Sequence, residues 1–318
     1  MGNNDLLCDY VNDYFEMRRL KGYKLGSEKV RILKFFERHN IKFVADLEPK
    51  TIVEALDRNL KFAPKSTTFF RNYISDIQNY INSIGINIPI ISKFPSRKRF
   101  SYKPHIYTRE EIVTILEAAK THRPCQNRKP LAPWELIYVY LILLLGTGIR
   151  PQEARLLKIR DVNFENNVLV VLDSKNHTDR LVPFHDSVKI HLIKYRDNFL
   201  KNKGPDSYFF ARYDDKCLNS GWLGERFLEI LQKANIKHDE NGPRLYDFRH
   251  TFCTYKFYEW VLNDINVYGK LPVLSAYLGH KTLTGTEHYL HAAKEFDDFM
   301  RKKIDEMRPN IYGVKYEK

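Results

Sequence analysis

Tyr289 is the residue whose sequence context points most directly to chemistry. It stands in the segment LGHKTLTGTEHYLH, residues 278–291, nine residues after His280. A tyrosine oxygen can attack a phosphate ester when the ester is held in line and its negative charge is neutralised. A phenol ordinarily has a pKa of about 10, so a dense cationic pocket would also help the phenolate to form. The segment therefore predicts phosphoryl transfer, provided that cations reach it from elsewhere in the chain.

Two arginines far upstream could supply that positive charge. Arg150 follows the turn GTGI and precedes a predicted helix, where the helix dipole makes a cation unfavourable unless an anion binds. An ion pair with Glu153 is the alternative, and this segment leaves both open. Arg249, beside His250, lies in the largely apolar segment LYDFRHTF, and a buried arginine is rare unless it meets an anion. Lys175, at the tip of a predicted hairpin, could join them around one phosphate.

A metal site is the competing interpretation, because the same segment contains three histidines. His288 and His291 are three residues apart on a predicted helix and could share an ion with His280. No further ligand has a clear reason to join them, and a phosphate pocket also explains the distant arginines. We therefore expect no metal ion here.

The overall charge favours a polyanionic partner. The chain has 318 residues, with 52 Lys+Arg against 39 Asp+Glu and a net charge of +13. Nucleic acid is the first candidate, although a solvated basic surface is the alternative. The four cysteines have no CxxC spacing, which favours free thiols in a reducing, cytoplasmic compartment. The most apolar run, residues 136–146, is too short to cross a bilayer, so no membrane partner is expected.

Apolar residues at helical spacing predict four helices in the N-terminal part of the chain, residues 1–92. In the second of them Val30, Leu33 and Phe36 form the predicted buried stripe. The fourth ends at Gly85, a residue that suits a helix C-terminus. Together these helices predict a small bundle.

A basic linker with prolines follows at residues 93–106. The prolines keep it extended, and its positive side chains suit a phosphate backbone, although an ordinary solvated linker would have the same composition. The linker residues predicted to contact DNA are Lys93, Arg97, Lys98, Arg99 and Lys103.

Residues 107–300 predict a second, mostly helical domain with one small sheet, followed by a C-terminal tail at 301–318. The apolar run at 136–146 predicts a buried helix. The segments NVLVVLD and RLVPF predict two strands joined by the polar hairpin SKNHTD. Further helices are predicted at 186–201, 221–234, 244–262, 271–278 and 286–306.

Four motifs occur in the order and at roughly the spacing of the tyrosine recombinase (phage integrase) family: TGIRPQEARLL, SKNHTDRLVPF, YDFRHTF and YLGHKTLTGTEHYLH. From about 150 to 291 the chain resembles the catalytic domain of that family, and the helical bundle and linker resemble its core DNA-binding domain. The resemblance implies a mainly α fold with a small antiparallel β-sheet. It would comprise a SAM-like helical core-binding domain and a catalytic domain of the DNA breaking-rejoining enzyme fold.

The resemblance implies how the phosphate would be held. Arg150 and Arg249 would clamp the scissile phosphate, and Glu153 would brace the site. Lys175 would be the general acid that protonates the leaving 5′ oxygen. Arg180, just before LVPF, is expected to contact the hairpin or the DNA backbone.

The resemblance also implies how the tyrosine would react. Tyr289 would form a 3′-phosphotyrosyl bond, which the 5′-hydroxyl of a second duplex would then attack, so neither ATP nor another cofactor is needed. His280 would bond the phosphate and help to orient or deprotonate the nucleophile, and His250 would support the site. The chain departs from the family at Tyr246, three residues before Arg249, where the family usually has histidine. A phenol cannot act as a base at neutral pH, so we expect a working site with an altered acid–base balance.

The implied partners are double-stranded DNA with specific recombination sites and further copies of the chain, as a tetramer on DNA. The C-terminal tail would dock on a neighbouring protomer, and accessory proteins are compatible with such an assembly. The resemblance implies action in the cytoplasm on the nucleoid, in a prokaryote or a mobile element. A type IB topoisomerase, which rejoins the same strand, is one alternative. A non-cleaving DNA-binding relative is another, against which Arg150, Arg249, His280 and Tyr289 argue.

Overall fold

The computed structural model describes residues 5–23, 25–62, 64–91, 104–123, 131–172, 179–239, 242–280, 282–296 and 298–306. The chain divides into two compact units, Met1–Ser101 and Tyr102–Lys318. The predicted fold class is confirmed, because helices predominate and the strands form one small antiparallel sheet. Within the described ranges, none of the helices combines the length and the apolar character that crossing a bilayer requires.

The N-terminal unit contains the four predicted helices. They are α1 (Leu7–Leu20), α2 (Glu28–Arg38), α3 (Pro49–Phe62) and α4 (Pro64–Ser83), with a 3-10 turn at Val44–Leu47. Aromatic side chains fill the core, where the rings of Phe35 and Phe70 stack with centroids 4.5 Å apart. The predicted stripe of α2 is partly wrong, since Ile32, Phe35 and Phe36 are buried whereas Val30 is 54% exposed. Both sets have helical spacing, so spacing alone does not select the face.

The C-terminal unit consists of further helices around a short sheet. The helices are α5 (Arg109–Lys120), α6 (Glu135–Thr147), α7 (Pro151–Leu156), α8 (Asp186–Phe199), α9 (Ser220–Lys233), α10 (Asp247–Leu262), α11 (Val267–Leu278), α12 (Thr284–Phe296) and α13 (Asp298–Glu306). The strands are β1 (Val162–Asn163), β2 (Val168–Val171) and β3 (Arg180–Pro183).

The three strands pair in the order β1–β2–β3, and both pairs are antiparallel. Leu169 lies opposite Val182, and both side chains are buried. Alternate residues thus face the core, as expected for a half-buried strand. The two predicted strands are confirmed. Strand β1 was not predicted, because its two residues are too few to show alternation.

Helix α6 lies at the centre of the core, as its apolar run predicted. Leu136, Tyr140 and Leu144 are buried, because α5, α8 and α10 pack against the helix. The helix is capped by Gly148 at φ 61°, and a Cβ at this position would clash with the ring of Phe252. The turn after α6 therefore lies directly against α10.

Three predicted helix boundaries are wrong. Helix α10 begins at Asp247 rather than at 244, where the preceding residues form a turn. Helix α11 begins at Val267 rather than at 271, and Pro272 lies inside it. The region predicted as one helix, 286–306, forms α12 and α13.

Helix α13 packs within its own chain. Met300 and Ile304 are fully buried, in a cluster that includes Phe257 of α10. The predicted protomer-contacting tail, 301–318, therefore starts inside a helix that covers its own core. The rest of that tail, 307–318, lies outside the described residues.

Candidate active site

Arg249, on the first turn of α10, is hydrogen-bonded to groups from several segments of the site. Its side chain is 1% exposed. Its Nη1 donates to the carbonyl of Gly148 at 2.9 Å, and its Nη2 donates to the carbonyl of Leu278 at 2.7 Å. Nη2 also donates to Nε2 of His280 at 3.0 Å, and Nε donates to the hydroxyl of Tyr289 at 3.3 Å. These four partners carry no negative charge, so they fix the guanidinium without neutralising it.

His280 follows α11, which is capped by Gly279 in the left-handed conformation at φ 66°. Its Nε2 must be an acceptor, because the guanidinium of Arg249 can only donate. The ring proton is therefore on Nδ1, which donates to the hydroxyl of Thr286 at 2.8 Å. Burial and the positive charges of Arg249 and Arg150 lower the pKa of His280 to about 4. The imidazole is consequently neutral at physiological pH.

Tyr289 lies on the buried face of α12 and is 3% exposed. Its ring is nearly parallel to that of His280, with the centroids 5.8 Å apart and 7° between the planes. The ring of His250 lies 4.9 Å away. Burial raises the pKa of the Tyr289 phenol above its ordinary value, and the charge of Arg249 offsets only part of that increase. Tyr289 is therefore protonated at neutral pH.

Glu153, buried on α7, holds two further guanidiniums. Nη1 of Arg150 and Nη2 of Arg180 each donate to its carboxylate at 2.7 Å. Nη2 of Arg150 also donates to the carbonyl of Gly279 at 3.2 Å, next to His280. Burial would raise the pKa of Glu153, but the hydrogen bonds and charges of Arg180 and Arg150 lower it below its ordinary value. This group therefore combines two positive charges with one negative charge.

Arg180, the first residue of β3, is bound to Glu153, and its side chain is 6% exposed. Its Nε donates to the carbonyl of Tyr277 at 2.8 Å, which ties β3 to α11. These bonds fix the guanidinium between α7 and α11, and its predicted contact with the hairpin or the DNA backbone stays a prediction.

His250 and Tyr246 lie near Tyr289, at the start of α10. Burial, together with the charges of His288 and Arg249, lowers the pKa of His250 to about 3, so this ring is also neutral. Tyr246 is 40% exposed, and its ring lies 5.4 Å from that of His250. The sequence departure at this position thus places a phenol at the edge of the site.

A cleft of about 1350 Å³ joins these side chains. The site residues along its wall are Arg150, Glu153, Tyr246, His250, His280 and Tyr289. Lys158, Arg160 and Arg244 also line the cleft. Among its charged lining residues the cations outnumber the carboxylates, which suits a phosphate backbone.

Several predicted contact residues lie outside the described residues. They are Lys175 on the hairpin and the linker residues Lys93, Arg97, Lys98, Arg99 and Lys103. The strand that leads into the hairpin is described, and its residues Val170 and Val171 line the cleft.

The metal interpretation can be compared with the positions of the histidines. Both ring nitrogens of His280 bind protein groups, and His288 and His291 are exposed. In the part of the chain that the structure describes, no group of three or more His, Cys, Asp or Glu is placed to hold a metal ion.

Thr286 is the site neighbour that sequence reasoning missed. It is fully buried and stands three residues before Tyr289, so helical periodicity puts both on one face of α12. That spacing is the signal by which it could have been found.

The chain is similar in sequence to known recombinases. The phage integrase family matches residues 106–295. A candidate integrase/recombinase of Sinorhizobium fredii (strain NBRC 101917 / NGR234), y4rB, is 29% identical over 293 residues, which cover 90% of this chain and 92% of that protein. The tyrosine recombinase XerA of Saccharolobus solfataricus is 30% identical over 243 residues, which cover 76% of this chain and 69% of that protein.

Solved structures of lambda integrase share the fold. A lambda integrase dimer bound to a COC′ core site superposes with a TM-score of 0.67 at 17% identity, covering 90% of this chain and 77% of that one. A lambda integrase tetramer bound to a Holliday junction gives 0.65 at 16% identity, covering 99% and 82%. At such identities the likeness concerns the fold alone.

Proposed function

The chain belongs to the phage integrase family, and from this premise we propose that it is a site-specific DNA recombinase that works through a 3′-phosphotyrosyl intermediate on Tyr289. The class of enzyme, a tyrosine recombinase that breaks and rejoins DNA, follows from the family and the relatives. The observation that carries the proposal is the contact of 3.3 Å between the Tyr289 hydroxyl and Nε of Arg249, which also binds His280. Distant segments thus meet at the atoms that this reaction needs.

Binding of the scissile phosphate is assigned to Arg249 and Arg150. Arg249 is held by four hydrogen bonds to protein atoms, so its charge is oriented before DNA arrives, as electrostatic preorganisation requires. Arg150 is held by Glu153 and reaches the turn that carries His280. A phosphate in the cleft would therefore meet two oriented cations.

Tyr289 attacks phosphorus, and its phenolic proton leaves as the bond between phosphorus and the 5′ oxygen breaks. We assign acceptance of that proton to His280, because its ring is neutral and its Nε2 is an acceptor bonded to the same guanidinium that contacts the Tyr289 hydroxyl. The negative charge of a bound phosphate would raise the pKa of His280 toward neutrality, which suits a base. His250, neutral beside the Tyr289 ring, would limit water access.

Protonation of the leaving 5′ oxygen is assigned to Lys175. Strands β2 and β3 flank its hairpin, and β2 lines the cleft next to the phosphate site. Arg180, the first residue of β3, is fixed to Glu153, so the base of the hairpin is anchored to the site. Because one phosphodiester is exchanged for another, the reaction needs neither ATP nor a metal ion.

The substrate would be double-stranded DNA with specific sites, bound by a homotetramer. Support comes from the net charge of +13 and from the shared fold with lambda integrase, which has been solved as a dimer and as a tetramer on DNA. Tyr246 would donate a hydrogen bond to the DNA backbone from the edge of the cleft.

Trapping on a suicide DNA duplex, which loses its 5′-hydroxyl fragment after cleavage, tests the proposal. We expect the wild-type chain to become covalently attached. Tyr289→Phe should bind the duplex with unchanged affinity and form no covalent complex. Tyr213→Phe, at an exposed tyrosine, is the matched control and should attach normally. Attachment of Tyr289→Phe would rule out this nucleophile.

A further inference from the structure

We propose that Thr286 is a positioning residue that acts through His280, a role that rests on the proposed function of Tyr289. Its hydroxyl accepts the Nδ1 proton of His280 and so keeps the unprotonated Nε2 on the guanidinium of Arg249, which contacts the Tyr289 hydroxyl. Thr286 itself touches none of the reacting atoms.

A chain of hydrogen bonds begins at Thr286 and ends at Tyr289, and both residues lie on α12. Thr286 Oγ1 lies 2.8 Å from Nδ1 of His280. Nε2 of the same ring lies 3.0 Å from Nη2 of Arg249, and Nε of Arg249 lies 3.3 Å from the hydroxyl of Tyr289. The helix that carries the nucleophile therefore also holds the histidine, and the two move together.

The donor and the acceptor of each hydrogen bond in this chain follow from the chemistry of the side chains. Arg249 can only donate, so Nε2 of His280 accepts. A neutral imidazole has one ring proton, which must then be on Nδ1, and Thr286 is the acceptor at that atom. In the other tautomer two N–H groups would face each other at 3.0 Å, and the ring would have to turn away. Arg249 thus selects the tautomer, and the hydroxyl of Thr286 accepts the Nδ1 proton, which would otherwise be buried without a partner and would favour a turned ring.

The neighbouring residue is shaped for the same ring. A Cβ on Gly285 would lie 3.3 Å from both Cγ and Nδ1 of His280, which is tighter than an ordinary van der Waals contact. Successive residues of α12 thus fit one edge of the imidazole. Gly285 does so by the absence of a side chain, and Thr286 by its hydroxyl.

Three substitutions separate positioning from packing. Thr286→Val keeps the shape of the side chain and removes the acceptor, whereas Thr286→Ser keeps the acceptor and removes the methyl group. Thr284→Val is the matched control, because it also replaces threonine by valine on α12 but at an exposed position. In single-turnover attachment to the suicide duplex, we expect Thr286→Val to be slower by about tenfold or more, as is typical when the partner that orients a functional histidine is lost. Thr286→Ser and Thr284→Val should remain close to wild type, and DNA affinity should be unchanged throughout.

The ¹⁵N NMR spectrum of the imidazole reports the tautomer independently of activity. We expect protonated Nδ1 in the wild type and in Thr286→Ser, and loss of that state in Thr286→Val. A wild-type attachment rate in Thr286→Val, or a wild-type His280 protonated on Nε2, would overturn the role of Thr286. If Thr286→Val does not fold, the wild-type spectrum and the rate of Thr286→Ser decide. A wild-type chain that never attaches to DNA would contradict the proposed function instead, and the tautomer would still be read from the spectrum.

Discussion

Two groups of residues hold the arginines of the site in different ways. The Arg249 network consists of Arg249, Gly148, Leu278, His280 and Tyr289, and all partners of its guanidinium are uncharged. The Glu153 network consists of Arg150, Glu153 and Arg180, in which two cations share one carboxylate. Each network keeps one net positive charge. The Arg249 network contains no anion, and the Glu153 network contains two cations for its one carboxylate.

The two networks therefore differ in function: the first holds an uncompensated cation in position, and the second compensates part of its charge within the protein. A buried cation without an anion is unfavourable by several kcal/mol until a counter-ion arrives, so the Arg249 network should gain most from binding a phosphate. The carboxylate of the Glu153 network already compensates part of its charge, so this network should contribute more to stability. Substitutions in the first network should therefore affect catalysis most, and those in the second should affect folding most.

The largest effect is expected for Arg249→Lys. An ammonium group cannot replace the planar fork that reaches four acceptors, so single-turnover attachment should fall by about a hundredfold to a thousandfold. Arg150→Lys is the comparison, and its loss should be smaller because Arg180 still contributes a cation to the shared carboxylate. Equal losses in the two variants would contradict the distinction between the networks.

Glu153→Gln should lower the free energy of unfolding by about 3 kcal/mol, because two buried guanidiniums lose their shared anion. Chemical denaturation measures this loss. In a double-mutant cycle with Arg180→Gln, we expect a coupling free energy of about 1–3 kcal/mol, as for residues in one ion-pair network. Strictly additive effects would show that the pair does not act as one unit.

The two neutral histidines predict how stability depends on pH. Their pKa values in the folded chain are about 4 for His280 and about 3 for His250, below the ordinary 6.5. As the pH falls below 6.5 the unfolded chain takes up protons that the folded chain does not, so stability is lost on acidification and is unaffected by these groups above 6.5.

Between pH 6.5 and 5 the protonation of His250 should lower the free energy of unfolding by about 2 kcal/mol. The half-buried His280 should contribute less, because solvent screens its surroundings. Chemical denaturation at several pH values tests this. In His250→Phe the free energy of unfolding should fall less steeply with decreasing pH, because the contribution of His250 is lost. An unchanged slope in that variant would indicate that His250 is protonated in the folded chain.

Gly279→Ala should have the smallest effect on stability. Its φ of 66° is unfavourable for alanine, and the new Cβ would lie 3.0–3.1 Å from the guanidinium of Arg180. Gly22→Ala is the control, with φ 81° and nothing within 4 Å of the added Cβ. Both should lose about 1 kcal/mol of stability, but only Gly279→Ala should also slow attachment. Equal activities would show that Arg180 tolerates displacement.

Much of the fold could be predicted from local patterns. The apolar run of α6 and the helical spacing in α1–α4 suffice, because burial of one face or of a whole helix leaves a periodic signal. The face of α2 could not be predicted, since Val30 and Ile32 both belong to sets with helical spacing, and only the packing of the bundle distinguishes them.

Within the site, the sequence singled out Arg150, Arg249, His280 and Tyr289. The first, third and fourth of these line one cleft, and the buried Arg249 hydrogen-bonds both His280 and Tyr289. Their catalytic roles remain predictions. The partner of Arg180 could not be predicted, because Glu153 lies 27 residues earlier in the chain, and the pairing depends on how β3 meets α7.

Identification of the residue that carries DNA is the most direct test of the central claim. The wild-type covalent complex would be digested with trypsin and nuclease, and the nucleotide-bearing peptide located by mass spectrometry. We expect the adduct on Tyr289, which contacts Arg249 in the cleft. An adduct on Tyr246, the exposed tyrosine at the edge of the same cleft, or on any other residue would contradict the account.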